Sequence, residues 1–113
     1  LAHIDCPEKK QAFGSTAKHT ASDLCFGKTV TVVSDGTVDR YKRLVVEIYV
    51  GKQCVNQQLV QKGMAWHYKK YSKSLHYANL EVLARQNKAG LWIEKDPIAP
   101  WDYRKSKRKK AIR

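Results

Sequence analysis

Two short stretches hold side chains of the kinds that can work on a phosphate ester. Asp5-Cys6-Pro7-Glu8 places two carboxylates three residues apart around a proline turn, and Asp39-Arg40-Tyr41-Lys42-Arg43 places two guanidiniums in a loop further along. Carboxylates at that spacing can share one hard cation, directly or through water, and Ca2+ accepts irregular oxygen coordination from carboxylates, backbone carbonyls and waters. Asp5 and the Cys6 backbone carbonyl are the candidate ligands, with Glu8 facing a bound water, so side-chain identity at Cys6 matters little. The plain alternative is an exposed Asp-x-Pro-Glu turn. Arg43 weighs against it, because a phosphodiester reacting in line gathers charge on its equatorial and leaving oxygens, and a planar, permanently charged fork of donors matches that charge. Asp39 reads as a turn former, and Arg40 and Lys42 as residues that point to solvent.

A second group is aromatic and basic. Tyr41, Tyr68 and Tyr71, with Lys69, Lys70 and Lys73 interleaved, could make a surface that stacks bases and meets phosphates, and stacking is worth roughly 1–3 kcal/mol per base. Trp66, Trp92 and Trp101 read instead as core or helix-docking anchors. The histidines at 3, 19, 67 and 76 show no paired ligand spacing.

These groups need a frame. Leu1 to Ile4 reads as the end of a strand that delivers Asp5 to the turn, since Pro7 cannot continue a ladder. Ser15 is a candidate N-cap for a helix whose Ala17, Ala21, Leu24 and Cys25 fall on one face, and Gly27 is its stop. Thr29 to Val33 and Leu44 to Tyr49 are β-branched runs around Asp35-Gly36 and predict an antiparallel pair. Val55, Leu59 and Val60 mark a short helix closed by Gly63. A third helix runs from about Leu75 to Lys88, with Tyr77, Leu80, Leu83 and Ala84 on one face and Gly90 beyond it. The pattern predicts an α+β domain, mainly β with helices, in which a small twisted sheet packs on helices.

The chain has 113 residues, enough for one domain and one modest core. Its formal net charge is +12, and residues 104–113 contribute seven of the 22 Lys and Arg and no acid. We therefore divide it into a body, 1–103, and a basic C-terminal tail, 104–113. Such a tail is either a solvated end or a holder of polyanions, and each base that meets a phosphate releases a counterion. No apolar run approaches the ~20 residues a membrane span requires. Cys6, Cys25 and Cys54 are too few for a disulfide framework; a Cys25–Cys54 pair and three small buried apolar side chains both remain open.

The order of these motifs resembles the staphylococcal nuclease family. The matching stretches are Ile4-Asp5-Cys6-Pro7-Glu8, Asp39 to Arg43, Val55-Asn56-Gln57-Gln58-Leu59-Val60 through Gly63-Met64-Ala65, and Glu81 through Ala84-Arg85 to Gly90-Leu91-Trp92. Pro100-Trp101-Asp102-Tyr103-Arg104 is similar to an ending of many bacterial members. The resemblance implies an oligonucleotide-binding-type five-stranded barrel with three helices, and a calcium-dependent endonuclease that hydrolyses DNA and RNA to 3′-phosphate products. It also implies that Asp5 and the Cys6 carbonyl bind Ca2+, Glu8 activates or positions water and Arg43 braces the phosphate. Tyr41, Arg40, Tyr71, Lys69 and Lys70 are then the nucleic-acid contacts.

The family's second calcium aspartate and its other catalytic arginine would precede Leu1, so the chain reads as truncated at its N-terminus. Alone it is expected to be weakly active, and a strand-swapped or edge-paired oligomer would complete the barrel. The family's usual glycine between Tyr41 and Arg43 is Lys42 here. Family habit suggests a secreted or periplasmic address. The competing reading is a catalytically silent nuclease-like module that binds nucleic acid or protein. An unrelated small basic DNA-binding protein finds no helix-turn-helix or zinc-finger pattern to support it.

Overall fold

The computed structural model describes residues 1–39, 42 and 44–112. From the N-terminus the elements are β1 (Ile4–Asp5), α1 (Gly14–Cys25), β2 (Thr31–Val33), β3 (Glu47–Val50), β4 (Gln53–Cys54), α2 (Val55–Gln61), β5 (Trp66–His67), α3 (Leu75–Gln86) and, after a 3-10 turn at Gly90–Ile93, α4 (Pro100–Ile112). The strands form two antiparallel sheets: β1 with β5, pairing Ile4 to His67 and Asp5 to Trp66, and β2-β3-β4. The predicted hairpin around Asp35-Gly36 is present, with Thr31 opposite Tyr49 and Val33 opposite Glu47. This is a small α+β domain. No closed barrel forms among the described residues, because the two-stranded and three-stranded sheets share no ladder.

Three helices were expected and four α-helices are described. The fourth runs straight through the 103/104 division drawn from charge. Its first turn explains why: Ala99 and Pro100 are buried, Pro100 is preset for a helix start, and Trp101 packs edge-on to Trp66 at 5.5 Å. α2 is the hub of the interior, with Val55, Leu59 and Val60 fully buried among Ile4, Ala65 and Tyr77. A second cluster gathers Trp66, Ala84, Leu91, Trp92 and Ala99. The three tryptophans are thus anchors, as their size suggested.

The two clusters meet where glycine touches glycine. A Cβ on Gly63 would lie 2.1 Å from the Ala89 carbonyl oxygen and one on Gly90 would lie 2.4 Å from that of Gly63. Only bare backbone fits, and the close approach lets the Leu91 amide donate to the Gly63 carbonyl at 2.9 Å.

Local expectations fail at several points. Phe13, not Ser15, occupies the N-cap of α1, with φ of 67° and no side-chain cap. On α3 the exposed Leu83 and the buried Glu81 exchange expected places. Glu81 can be buried because its carboxylate accepts the His67 amide at 2.6 Å and both Nε and Nη2 of Arg85. No Cys25–Cys54 bridge forms; all three thiols are free, and the Cys54 thiol lies 3.6 Å from the Tyr77 hydroxyl. Among the described residues no helix is long and apolar enough to cross a membrane.

Candidate active site

β1 is only two residues long, yet its pairing with β5 sets which way each neighbour faces. Ile4 enters the core at 5% exposure, so Asp5, the next residue of an extended strand, faces away from it. Buried Pro7 ends the strand, and the chain folds back over the start of α1. That return is tight: a Cβ on Gly14 would lie 1.9 Å from the Glu8 carbonyl oxygen. Gln11 locks the turn, accepting the Glu8 amide at 2.8 Å through Oε1 and donating through Nε2 to the Ile98 carbonyl at 2.9 Å. The acid turn and the entrance to α4 are therefore joined by one side chain.

Arg104, one turn into α4, reaches the acids. Its Nη2 donates to Asp5 Oδ2 at 2.6 Å, while Nη1 donates to Asp5 Oδ1 at 3.2 Å and to Glu8 Oε1 at 2.7 Å. The guanidinium forks onto Asp5 and bridges to Glu8, so Asp5 and Glu8 converge on a single positive charge. The Asp5 side chain is 16% exposed, and those of Glu8 and Arg104 are 37% and 35% exposed. Burial pushes the Asp5 carboxyl above its usual range, with Arg104 pulling the other way, whereas on Arg104 the bond to Asp5 is the largest influence and holds the proton more firmly. Most of the Asp5 side chain is covered, and the hydration it loses there favours the neutral carboxyl.

Cys6 packs its side chain against the first core cluster. Burial, reinforced by the Asp5 charge, pushes its thiol up to about 11. With its side chain packed on that cluster, Cys6 has its backbone carbonyl to offer a hard cation. Among the described residues no group of three or more His, Cys, Asp or Glu side chains gathers to hold a metal. The Asp5–Glu8 pair nonetheless suits a hard divalent ion: its donors are carboxylate oxygens, and they already converge on a cationic head group.

An aromatic row continues from this point. Trp92 meets Trp66 edge-on at 4.5 Å, Trp66 meets Trp101, Trp101 stacks on Tyr68 at 5.0 Å and 8°, and Tyr68 meets Tyr71 edge-on at 4.9 Å. Tyr71 ends the row 66% exposed, with Lys70 Nζ 5.5 Å from its ring centre. Lys69, also exposed, turns to Glu81 at 3.9 Å. Arg40, Tyr41 and Arg43 lie outside the described residues. Between Tyr41 and Arg43, Lys42 takes a φ of 64°, and its amide donates to the Asp39 carbonyl. This left-handed position is one where a glycine is at ease.

Beside Glu8 lies a shallow cavity of about 220 Å³ walled by Lys9, Lys10, Tyr103 and Lys107. Sequence reasoning missed Arg104 and this wall, having assigned residues from 104 onward to a tail. The available signal was Pro100-Trp101, a helix start with an anchor, followed one turn later by an arginine.

A family model described as staphylococcal nuclease homologue matches residues 1–94. The chain belongs to the staphylococcal nuclease family. It is 42% identical over 108 residues to an uncharacterized endonuclease of Haemophilus influenzae, covering 96% of this chain and 60% of that protein. A staphylococcal-like nuclease of Arabidopsis thaliana is 40% identical over 96% of the chain and 33% of its own length. An uncharacterized endonuclease of Escherichia coli O157:H7 is 41% identical over 95% of the chain and 70% of its own length. The chain thus spans three-fifths of the first of these relatives and a third of the second. Arg104 lies beyond the family model's match but inside the stretch shared with the Haemophilus and Arabidopsis proteins.

Proposed function

We propose that this chain is the catalytic domain of a calcium-dependent nuclease that hydrolyses phosphodiester bonds in DNA and RNA and leaves 3′-phosphate ends. The observation that carries this reading is the convergence of Asp5 and Glu8 on one positive charge, in a chain whose family is named for nucleases. Asp5 and the Cys6 carbonyl hold the ion, which when bound supplies positive charge to the phosphate oxygens. Glu8 accepts the proton of the attacking water. Its side chain is 37% exposed, which keeps it within reach of water and substrate. Arg43, assigned by family resemblance, braces the phosphate, and Tyr71 with Lys70 offers a base and a neighbouring phosphate a place to rest.

A second reading, a silent module that only binds nucleic acid, draws on the same contact, because Arg104 occupies both acids and offsets one of their two charges, and the chain carries +12. Cleavage separates the two. Plasmid DNA and a labelled RNA should be cut in the presence of Ca2+ and left intact with a chelator, weakly by this chain alone and more strongly by a form extended upstream of Leu1. Glu8→Gln should slow cutting by ~10² to 10⁴, the usual contribution of a general base. Retention of nucleic acid without cutting by either form would establish the silent module, and cutting that ignores both the chelator and Glu8→Gln would remove Glu8 and the ion from the mechanism.

A further inference from the structure

We propose that Arg104 belongs to the substrate site: it holds Asp5 and Glu8 together while no divalent cation is bound, and turns to a substrate phosphate when one binds. The inference rests on the nuclease reading above and adds a residue to it from α4, an element beyond the family model's match.

Three observations carry it. First, Arg104 engages both oxygens of Asp5 and one of Glu8, so a cation cannot take Asp5 unless the guanidinium releases at least part of its fork. Two carboxylates balance a guanidinium with one negative charge to spare; adding a divalent ion makes the cluster positive and sets two cations side by side. The head group is then driven towards an anion, and a phosphodiester is the anion at hand.

Second, the backbone of Arg104 is fixed while its head can swing. Ala99, Pro100 and Trp101 seat the first turn of α4 against Trp66 and Tyr68, whereas the Arg104 side chain retains 35% exposure. Exchange of partners requires rotamer changes alone.

Third, a place for the anion lies adjacent. The 220 Å³ cavity beside Glu8 is walled by Lys9, Lys10 and Lys107 together with Tyr103. Tyr103 and Lys107 flank Arg104 on the same helix, and Lys107 Nζ sits 5.6 Å from the Tyr103 ring centre. Three ammonium groups against one carboxylate make a wall suited to phosphate, and the planar guanidinium bonded to that carboxylate can meet two phosphate oxygens at once.

The test measures two affinities that the proposal moves in opposite directions. Calcium binding to the wild-type chain, Arg104→Gln and Arg104→Lys is followed by calorimetry without nucleic acid. Binding of a short phosphorothioate oligonucleotide is then measured at saturating Ca2+. Arg104→Gln should bind Ca2+ more tightly, since the competing guanidinium is gone, yet should bind the oligonucleotide about tenfold or more weakly, the usual cost of losing a charge-assisted hydrogen bond. Arg104→Lys, which keeps the charge and loses the fork, should show both shifts in smaller measure, and it carries the test if the Gln variant fails to fold.

Loss of both affinities would make Arg104 a structural strut, and a gain in both would make it a lock without a substrate role. Either result, or no change in either affinity, overturns the proposal and leaves the nuclease reading standing if the wild-type chain binds Ca2+ and cuts. A wild-type chain that binds no Ca2+ overturns both.

Discussion

His67 shows how one residue's surroundings settle its charge. Its side chain is buried, Nε2 is hydrogen-bonded to Ser72 Oγ at 3.0 Å, and that hydroxyl also meets His3 Nδ1 at 2.7 Å. Nδ1 of His67 finds no partner among the described residues. Burial lowers the His67 pKa below 6.5; the Glu81 carboxylate works to raise it, while Lys69 and His3 add to the lowering. An imidazole whose folded-state pKa is depressed contributes stability that is complete above the unfolded value, near 6.5, and is lost as pH falls through the folded value. Urea midpoints should therefore fall between pH 7 and pH 5, and His67→Gln should flatten that slope. An unchanged slope in the variant would assign the pH response to other groups.

The same scale shows what a sequence discloses. Asp5 and Glu8 were legible because their relation is local: three residues, one proline, a turn. Arg104 was not, because its partners lie 99 and 96 residues away and an arginine that opens a basic run looks like solvated charge.

At the scale of elements, residues that leave the chain no choice were the reliable signs. Gly27 and Gly63 both end helices with positive φ, as their positions predicted. The strand pair around Asp35-Gly36 followed from β-branched composition. Expectations failed where a distant partner decided: Glu81 goes inside because the His67 amide and Arg85 meet it, and α4 forms because Trp101 finds Trp66 and Tyr68. The two glycines separate strain from crowding. Nothing lies within 4 Å of a Cβ on Gly27, whereas one on Gly63 collides with the Ala89 backbone. Gly27→Ala should cost about 1 kcal/mol, the left-handed penalty, and Gly63→Ala at least twice that. Chemical denaturation of both variants checks it, and equal losses would show that the α2–α3 junction yields freely.

Across the whole molecule, charge and packing are divided between different ends of the chain. The N-terminal acids are paired with Arg104 of the C-terminal helix, and Lys107 of the same helix lines the cavity beside Glu8, so the two ends of the chain build one surface. Beneath that surface the two apolar clusters share the backbone contact between Gly63 and Gly90. Leu91, whose N–H crosses that contact, is buried at 3% exposure. In deuterated buffer, the Leu91 proton should accordingly be among the last replaced, at the pace of complete unfolding. Early replacement would mean that the two halves of the interior breathe independently.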